Sequence, residues 1–220
     1  MFSMKHLLKF VKLIQTGSEK KMKTFLHVGC GPSRKQHTTP GFNTDEWNEL
    51  RFDIDQSVQP DIVGTMLNMS EVASGSVDAV YSSHNIEHLY PHEVVVALKE
   101  FKRVLNDDGY LIITCPDLQS VCQLVVEDKL TDVAYESPLG PISAIDILFG
   151  LRSSMEKGNL YMAHRGGFTL SSLLAALRES GLQSCAGIRR PTCFDLWAVA
   201  TKKAATEQEL QAIARLHFLR

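Results

Sequence analysis

Histidine is concentrated where it could do chemistry. His84, His88 and His92 fall within SSHNIEHLYPH, and His164 follows in NLYMAHRGGFT. Imidazole is the side chain best placed to move a proton near neutral pH. His84 follows the apolar run VDAVYS. That puts it at the carboxyl end of a strand, where ligands meet a parallel sheet. It is the first candidate for a catalytic or ligand-facing group, with a structural histidine as the alternative. His164 is the second candidate for a base, because its glycine-rich stretch reads as a loop able to close over a site. His88 follows Glu87 at a helix start and reads as structural, while His92 reads as exposed surface. Asn85, Tyr135 and Tyr161 are candidates for the acceptor side. Aromatic residues in such loops also serve as packing anchors.

A second group of residues could hold a nucleoside. In FLHVGCGPSR a short apolar run breaks into Gly29-Cys30-Gly31. Two glycines let the backbone turn tightly and approach a ligand with no Cβ in the way. Asp53 ends the next apolar run, LRFDI, and a carboxylate there can accept both hydrogens of a ribose diol. Asp55, two residues on, is its rival. Arg34 stands where a dinucleotide fingerprint needs its third glycine, which disfavours a pyrophosphate. A ligand with a ribose and no phosphates, such as S-adenosylmethionine, tolerates that loss better.

The elements that must position these residues alternate between strands and helices. Strands are expected at 25–28, 50–54, 61–63, 77–82 and 110–115. The last, YLIITC, is nearly all apolar, as a buried parallel strand demands. His92 to Leu105 carries Val94, Val95, Leu98, Phe101 and Leu105 on one helical face, and NDDG reads as the turn that ends it. HTTPGFNTDEWNE reads as a loop where a helix would be usual. Further helices are expected at 119–128 and after Thr169, which can cap SSLLAALRES before Gly181 closes it. Two strands near 183–189 and 194–201 should pair as an antiparallel hairpin. The tail from Glu207 to Leu219 reads as a helix. The fold class is therefore α/β, a Rossmann-like doubly wound and mostly parallel sheet that ends in an antiparallel hairpin. The organisation is an amphipathic helical extension over 1–24, a domain over 25–203 with an irregular lid or insert at about 130–168, and a tail over 204–220. The apolar stretch PLGPISAIDILFG is either a helix over the acceptor pocket or an interface with a second chain.

LHVGCG, RFDID, VDAVYSSHNIEHL, and FKRVLNDDGYLIITCPD with the late AHRGGFT occur in this order. On these stretches the sequence resembles class I S-adenosylmethionine-dependent methyltransferases, in their type 11-like bacterial branch. The resemblance covers roughly 25–203 and implies roles residue by residue. Gly29, Cys30 and Gly31 would pass beneath the methionine part of the cofactor. Asp53 would bind the ribose, with Ile54 against the adenine. Met66 and Leu67 would flank the adenine, with Asn68 as a polar contact. Ser83 and His84 would face the methionine and sulfonium. Two positions depart from the family's habit: His27 where an acid is frequent, and Ser33 where a third glycine is frequent. His27 is expected to orient the turn through a backbone hydrogen bond.

Composition sets the outer bounds. The chain has 220 residues, 44% hydrophobic and 22% charged, with a net charge of −2. No strongly basic nucleic-acid surface is evident. No apolar run is long enough to span a membrane. Five cysteines without a C-x-x-C pair give no disulfide framework and no structural zinc knuckle. No resident metal is expected, and the pattern fits a reducing, cytoplasmic setting. The expected activity is methyl transfer from S-adenosylmethionine to a small-molecule or sugar-like acceptor, with a homodimer through the apolar insert or terminal helices as an option. The alternatives are a nicotinamide-dependent oxidoreductase and a silent cofactor-binding module. The oxidoreductase lacks its third glycine and a Tyr-x-x-x-Lys pair.

Overall fold

In the computed structural model, residues 22–138 and 140–218 are described. The helical extension expected over 1–24 lies outside them except for its end, where β1 (Lys23–Val28) begins. The central sheet has seven strands in the order β3-β2-β1-β4-β5-β9-β8. β1 pairs in parallel with β2 (Trp47–Asp53) and β4 (Val77–Ser83). β3 (Ile62–Val63) and β5 (Leu105–Pro116) extend the parallel set on either side. β9 (Asp195–Thr201) then enters antiparallel between β5 and β8 (Ser184–Arg190). This is the expected sheet with its terminal hairpin.

Alternation along each strand sorts the core onto two faces. On β1, Leu26 and Val28 face one way, and Phe25 and His27 the other. The first face is covered by α1 (Pro91–Val104) and α5 (Leu170–Glu179), which bury Leu98, Phe101, Leu173 and Leu177 against it. The Thr169 side chain accepts from the Ser172 amide, so α5 is capped where the sequence places the cap.

The second face is covered in a less regular way. After the glycine turn the chain makes only one 3-10 turn (Lys35–His37) before β2. Phe42 from this loop is fully buried and stacks on Phe25 with ring centroids 4.3 Å apart. α6 (Glu207–His217) closes over it. His217 bonds Thr39 Oγ1 through Nδ1 (2.6 Å) and Tyr110 Oη through Nε2 (2.9 Å). Gly41 has to be glycine here, because a Cβ would lie 2.6 Å from the His217 ring.

Three expectations need correcting. β2 starts at Trp47, ahead of LRFDI, because Trp47 is buried edge-on against Phe25 and Phe42 and pairs with Lys23 across the ladder. NDDG does not separate the helix from the strand. β5 runs from Leu105, and its register with β4 jumps from Val77–Leu105 to Ala79–Tyr110, so the four residues bulge out. The insert is not irregular. It forms a hairpin of β6 (Val133–Ser137) and β7 (Gly140–Ser143), followed by α3 (Ala144–Phe149) and α4 (Arg152–Met155). Ile142, Ala144 and Ile147 pack on Val121 of α2 (Leu118–Val126), so the apolar stretch builds a small second core. These elements are too short for their periodicity to stand out before a partner is known.

Candidate active site

At the carboxyl ends of β1, β2 and β4 the sheet opens into a cleft of about 260 Å³. One end is walled by Gly29, Gly31, Asp53, Ile54 and Met66, and the other by His84, Asn85, His88, Tyr161 and Arg165. Cys30, Leu67, Ser83, Tyr135 and His164 do not line it. Cys30 is buried, and burial pushes its thiol up to about 11. Ser83 Oγ is bonded to Thr114 Oγ1 (2.7 Å) between β4 and β5. Tyr135 stacks near Phe194 in the insert.

The glycine end is built from paired groups. Gly29 and Gly31 have φ of +64° and +49°, in the left-handed region that favours glycine. A Cβ on Gly29 would collide with the Asn85 carboxamide, so the turn and the segment after β4 touch edge to edge. Asp53 accepts the Gly31 N–H on Oδ2 (2.7 Å) and the Asp55 N–H on Oδ1 (2.9 Å). Asp55 is half-buried, also lines the cleft, and accepts the Ser57 N–H (2.8 Å), capping a 3-10 turn. Of the two acids, Asp53 is the one tied to the glycine turn.

Arg51 does what a first helix would otherwise do. It is fully buried, and its guanidinium donates to the carbonyls of Gly31, Ser33 (3.1 Å), Val58 (3.3 Å) and Gln59 (2.6 Å). The planar fork of donors suits this task. His27 pairs with Glu49 Oε1 (2.7 Å), and Glu49 Oε2 accepts the Lys35 N–H (2.8 Å). The expected backbone bond from His27 is thus replaced by a carboxylate bridge. Burial works against the Glu49 anion, but its bonds to His27 and the Lys35 amide outweigh burial and lower its pKa. His27 lies on the aromatic face beside Tyr81 and does not line the cleft.

The histidine end is built differently. His84 follows β4 with φ of +48°, a costly conformation for a side-chain-bearing residue, and its N–H donates to Thr114 O (3.0 Å). A 3-10 turn (Ile86–His88) then buries Glu87 to 1% exposure. Among the described residues, neither Glu87 oxygen has a hydrogen-bond partner, and the same is true of Asn85 Nδ2 and Ser82 Oγ. His84 Nδ1 stands 3.6 Å from Glu87 Oε1, outside hydrogen-bond reach. His88 and His164 complete the surroundings, with ring centroids 5.0 Å apart. Burial pushes the Glu87 pKa up, but the imidazoles around it bring it below the ordinary carboxylate value. Burial lowers the His164 pKa. The loop that carries Tyr161 and Arg165 is clamped here. The amides of Arg165 and Gly166 donate to Glu87 O, and Arg165 Nη1 donates to His88 O (3.0 Å).

These features fit a nucleoside with an amino-acid tail. Each Asp53 oxygen keeps acceptor capacity beyond the one amide it already binds. Ile54 is half exposed at the cleft wall and offers an apolar surface opposite Met66. The glycine turn presents bare backbone, and Asn85 Nδ2 is an unpaired donor beside it.

Residues 26–113 match the family described as "Methyltransferase domain". The chain's fold is similar to that of class I S-adenosylmethionine-dependent methyltransferases. No curated protein matches its sequence. Among solved structures, a Thermotoga maritima SAM-dependent methyltransferase, a possible histamine N-methyltransferase, is 17% identical. The alignment covers 89% of this chain and 87% of that one, with a TM-score of 0.51. The 1,6-didemethyltoxoflavin-N1-methyltransferase of Burkholderia thailandensis, with its substrate and S-adenosylhomocysteine bound, is 15% identical (83% and 72% covered, TM-score 0.50). The CMeT domain of a citrinin polyketide synthase is 11% identical with a TM-score of 0.53. That alignment covers 90% of this chain, which spans only 51% of the other. Likeness at these identities concerns the fold.

The family match runs from β1 into β5, so it covers Asp53, the glycine turn and Glu87 but stops short of the insert. Sequence reasoning missed three residues that matter here. Arg51 gave itself away only as a charge inside the apolar run LRFDI. His88 lines the cleft although its helix-start position read as structural. Arg165 sits beside His164 in HRGGF and had no periodicity to mark it.

Proposed function

We propose that this chain transfers a methyl group from S-adenosylmethionine to a small, hydroxyl-bearing or sugar-like acceptor that enters at the histidine end of the cleft. The observation that carries this reading is the division of one cleft into a nucleoside-shaped end and a polar end containing His84, His88, Tyr161 and Arg165. The Burkholderia thailandensis enzyme of similar fold binds a small molecule, which supports a small acceptor.

When bound, S-adenosylmethionine supplies a methyl group already activated on sulfur. The chain's own part is to orient, exclude water and handle one proton. Asp53 takes the ribose hydroxyls, and Ile54 and Met66 hold the adenine between them. Gly29 and Gly31 let the backbone lie close to the methionine. Asn85 Nδ2, unpaired in the protein, donates to the methionine carboxylate or to the acceptor. His84, at the cleft wall, receives the acceptor proton. His164 supports from behind His88, with its Nδ1 bonded to Ile147 O (2.8 Å). Tyr161 and Arg165 close the acceptor side. Five free cysteines fit a reducing, cytoplasmic setting.

Calorimetry with S-adenosylhomocysteine and with NADH tests the cofactor side. S-adenosylhomocysteine at a hundredfold excess over its dissociation constant should stabilise the fold by about 3 kcal/mol. Asp53→Ala should weaken that binding by roughly ten- to a hundredfold, the loss of one or two charge-assisted bonds. A panel of sugar-like and other small acceptors with labelled cofactor tests the rest. Label transferred only to protein or nucleic acid would overturn the reading.

A further inference from the structure

Four buried polar atoms lack a protein partner among the described residues, and all lie between Ser82 and Glu87. The two on Glu87 are the costliest, because a buried carboxylate without donors loses its hydration and gains nothing in return. No hydrogen bond from the described residues balances it, and the His84 imidazole stands 3.6 Å away. The groups nearest to it are the ones a cation would use. Glu87, His88 and His164 each present one donor atom, and the three atoms lie within 4.8 Å of one another.

The histidines are already set in the tautomer that metal binding needs. His88 Nδ1 donates to Ala163 O (3.1 Å), and His164 Nδ1 donates to Ile147 O (2.8 Å). A neutral imidazole with its proton on Nδ1 leaves the Nε2 lone pair free. A backbone carbonyl fixing the ring from behind is the usual support of a ligating histidine. The two carbonyls come from different stretches: Ile147 belongs to α3 of the insert, and Ala163 to the loop after it. The insert therefore holds one ligand, and the turn after β4 holds the other two.

We propose that Glu87, His88 and His164 bind one divalent transition-metal ion through a carboxylate oxygen and two Nε2 atoms. Two imidazoles and one carboxylate form a donor set for zinc, manganese or iron rather than for magnesium or calcium. An ion with bonds of about 2.1 Å holds neighbouring donors about 3–4 Å apart, and donors that all lie within 4.8 Å of one another meet this with little side-chain movement. Three protein ligands leave coordination positions open. Because His88 also lines the cleft, an open position there would take an acceptor oxygen and make its hydroxyl easier to deprotonate. That role rests on the methyl-transfer reading of the cleft; the binding of the ion does not.

The test is therefore binding. Chelator-treated full-length chain is titrated with Zn²⁺ against a chromophoric competitor, and separately with Co²⁺ while the visible d–d absorption is followed. One ion per chain at submicromolar affinity is expected. Glu87→Gln and His164→Gln should each weaken binding a hundredfold or more and abolish the Co²⁺ band. His92→Gln, on the surface, should change nothing. S-adenosylhomocysteine binding by each variant reports that the fold is intact. A folded, S-adenosylhomocysteine-binding chain that takes up no stoichiometric metal would overturn the proposal. So would uptake that survives both ligand substitutions. In either case His84, protonated, would be left as the counter-ion of Glu87.

Discussion

The two ends of the cleft meet where Asn85 touches the glycine turn, and they are built on opposite plans. At the glycine end, the Asp53 oxygens, the Arg51 guanidinium, and the His27–Glu49 pair are all engaged by protein atoms. At the histidine end, Ser82, Asn85 and Glu87 hold buried polar atoms that nothing in the protein engages. The first plan fixes a shape, so that a cofactor meets a surface already formed. The second leaves valences open, so that part of its stability depends on what binds. Substitutions should therefore cost stability at the glycine end and function at the histidine end.

The largest expected effect tests that contrast most directly. Arg51→Met should destabilise the fold by about 3–5 kcal/mol, because four part-buried carbonyls lose the donor that the buried guanidinium supplies. Urea unfolding measures it, and a loss below about 1 kcal/mol would mean that the turn holds itself. Acid comes next. Burial holds the His217 pKa down to about 4, so the folded chain keeps it neutral. The unfolded chain takes up this proton near pH 6.5. Stability from this residue is complete above about pH 6.5 and declines as pH falls toward 4, by on the order of 3 kcal/mol. Unfolding midpoints between pH 7 and 4.5 should show the decline, and His217→Gln should flatten it. Gly29→Ala is smaller, about 1–2 kcal/mol of strain from φ of +64° together with displacement of Asn85. It should also weaken S-adenosylhomocysteine, as calorimetry would show. Smallest in stability is His84→Gln, within about 0.5 kcal/mol because the side chain is half exposed. Its cost should fall on turnover, by roughly a hundredfold with cofactor affinity kept. If turnover persists, His84 is not the proton acceptor and the contrast between the two ends loses its functional half.

Much of the glycine end was legible in the sequence. A strand broken by Gly-Cys-Gly and an acid closing the next strand are local patterns with a known geometric consequence. The parallel sheet and its terminal hairpin were legible for the same reason, since strand periodicity and turn residues lie close together in the chain. What stayed hidden depended on distant partners. Arg51 looks like a stray charge until the carbonyls of Gly31 and Gln59 are brought around it. His27 looked like a misplaced acid until Glu49 appeared on the adjacent strand. His164 and Glu87 are 77 positions apart, and the hairpin of the insert that joins them had no clear period.

The clasp between Thr39 and His217 spans 178 residues of chain. At roughly 5–20 residues per second, synthesis takes on the order of 10–35 s to travel that distance. During this interval Phe25, Phe42 and Trp47 have been made, while the helix that covers them has not. The aromatic side of the sheet is thus translated well before the helix that covers it. A nascent chain in that state shows a bare aromatic face to the cell. Its yield should depend on what shields that face until the last helix leaves the ribosome.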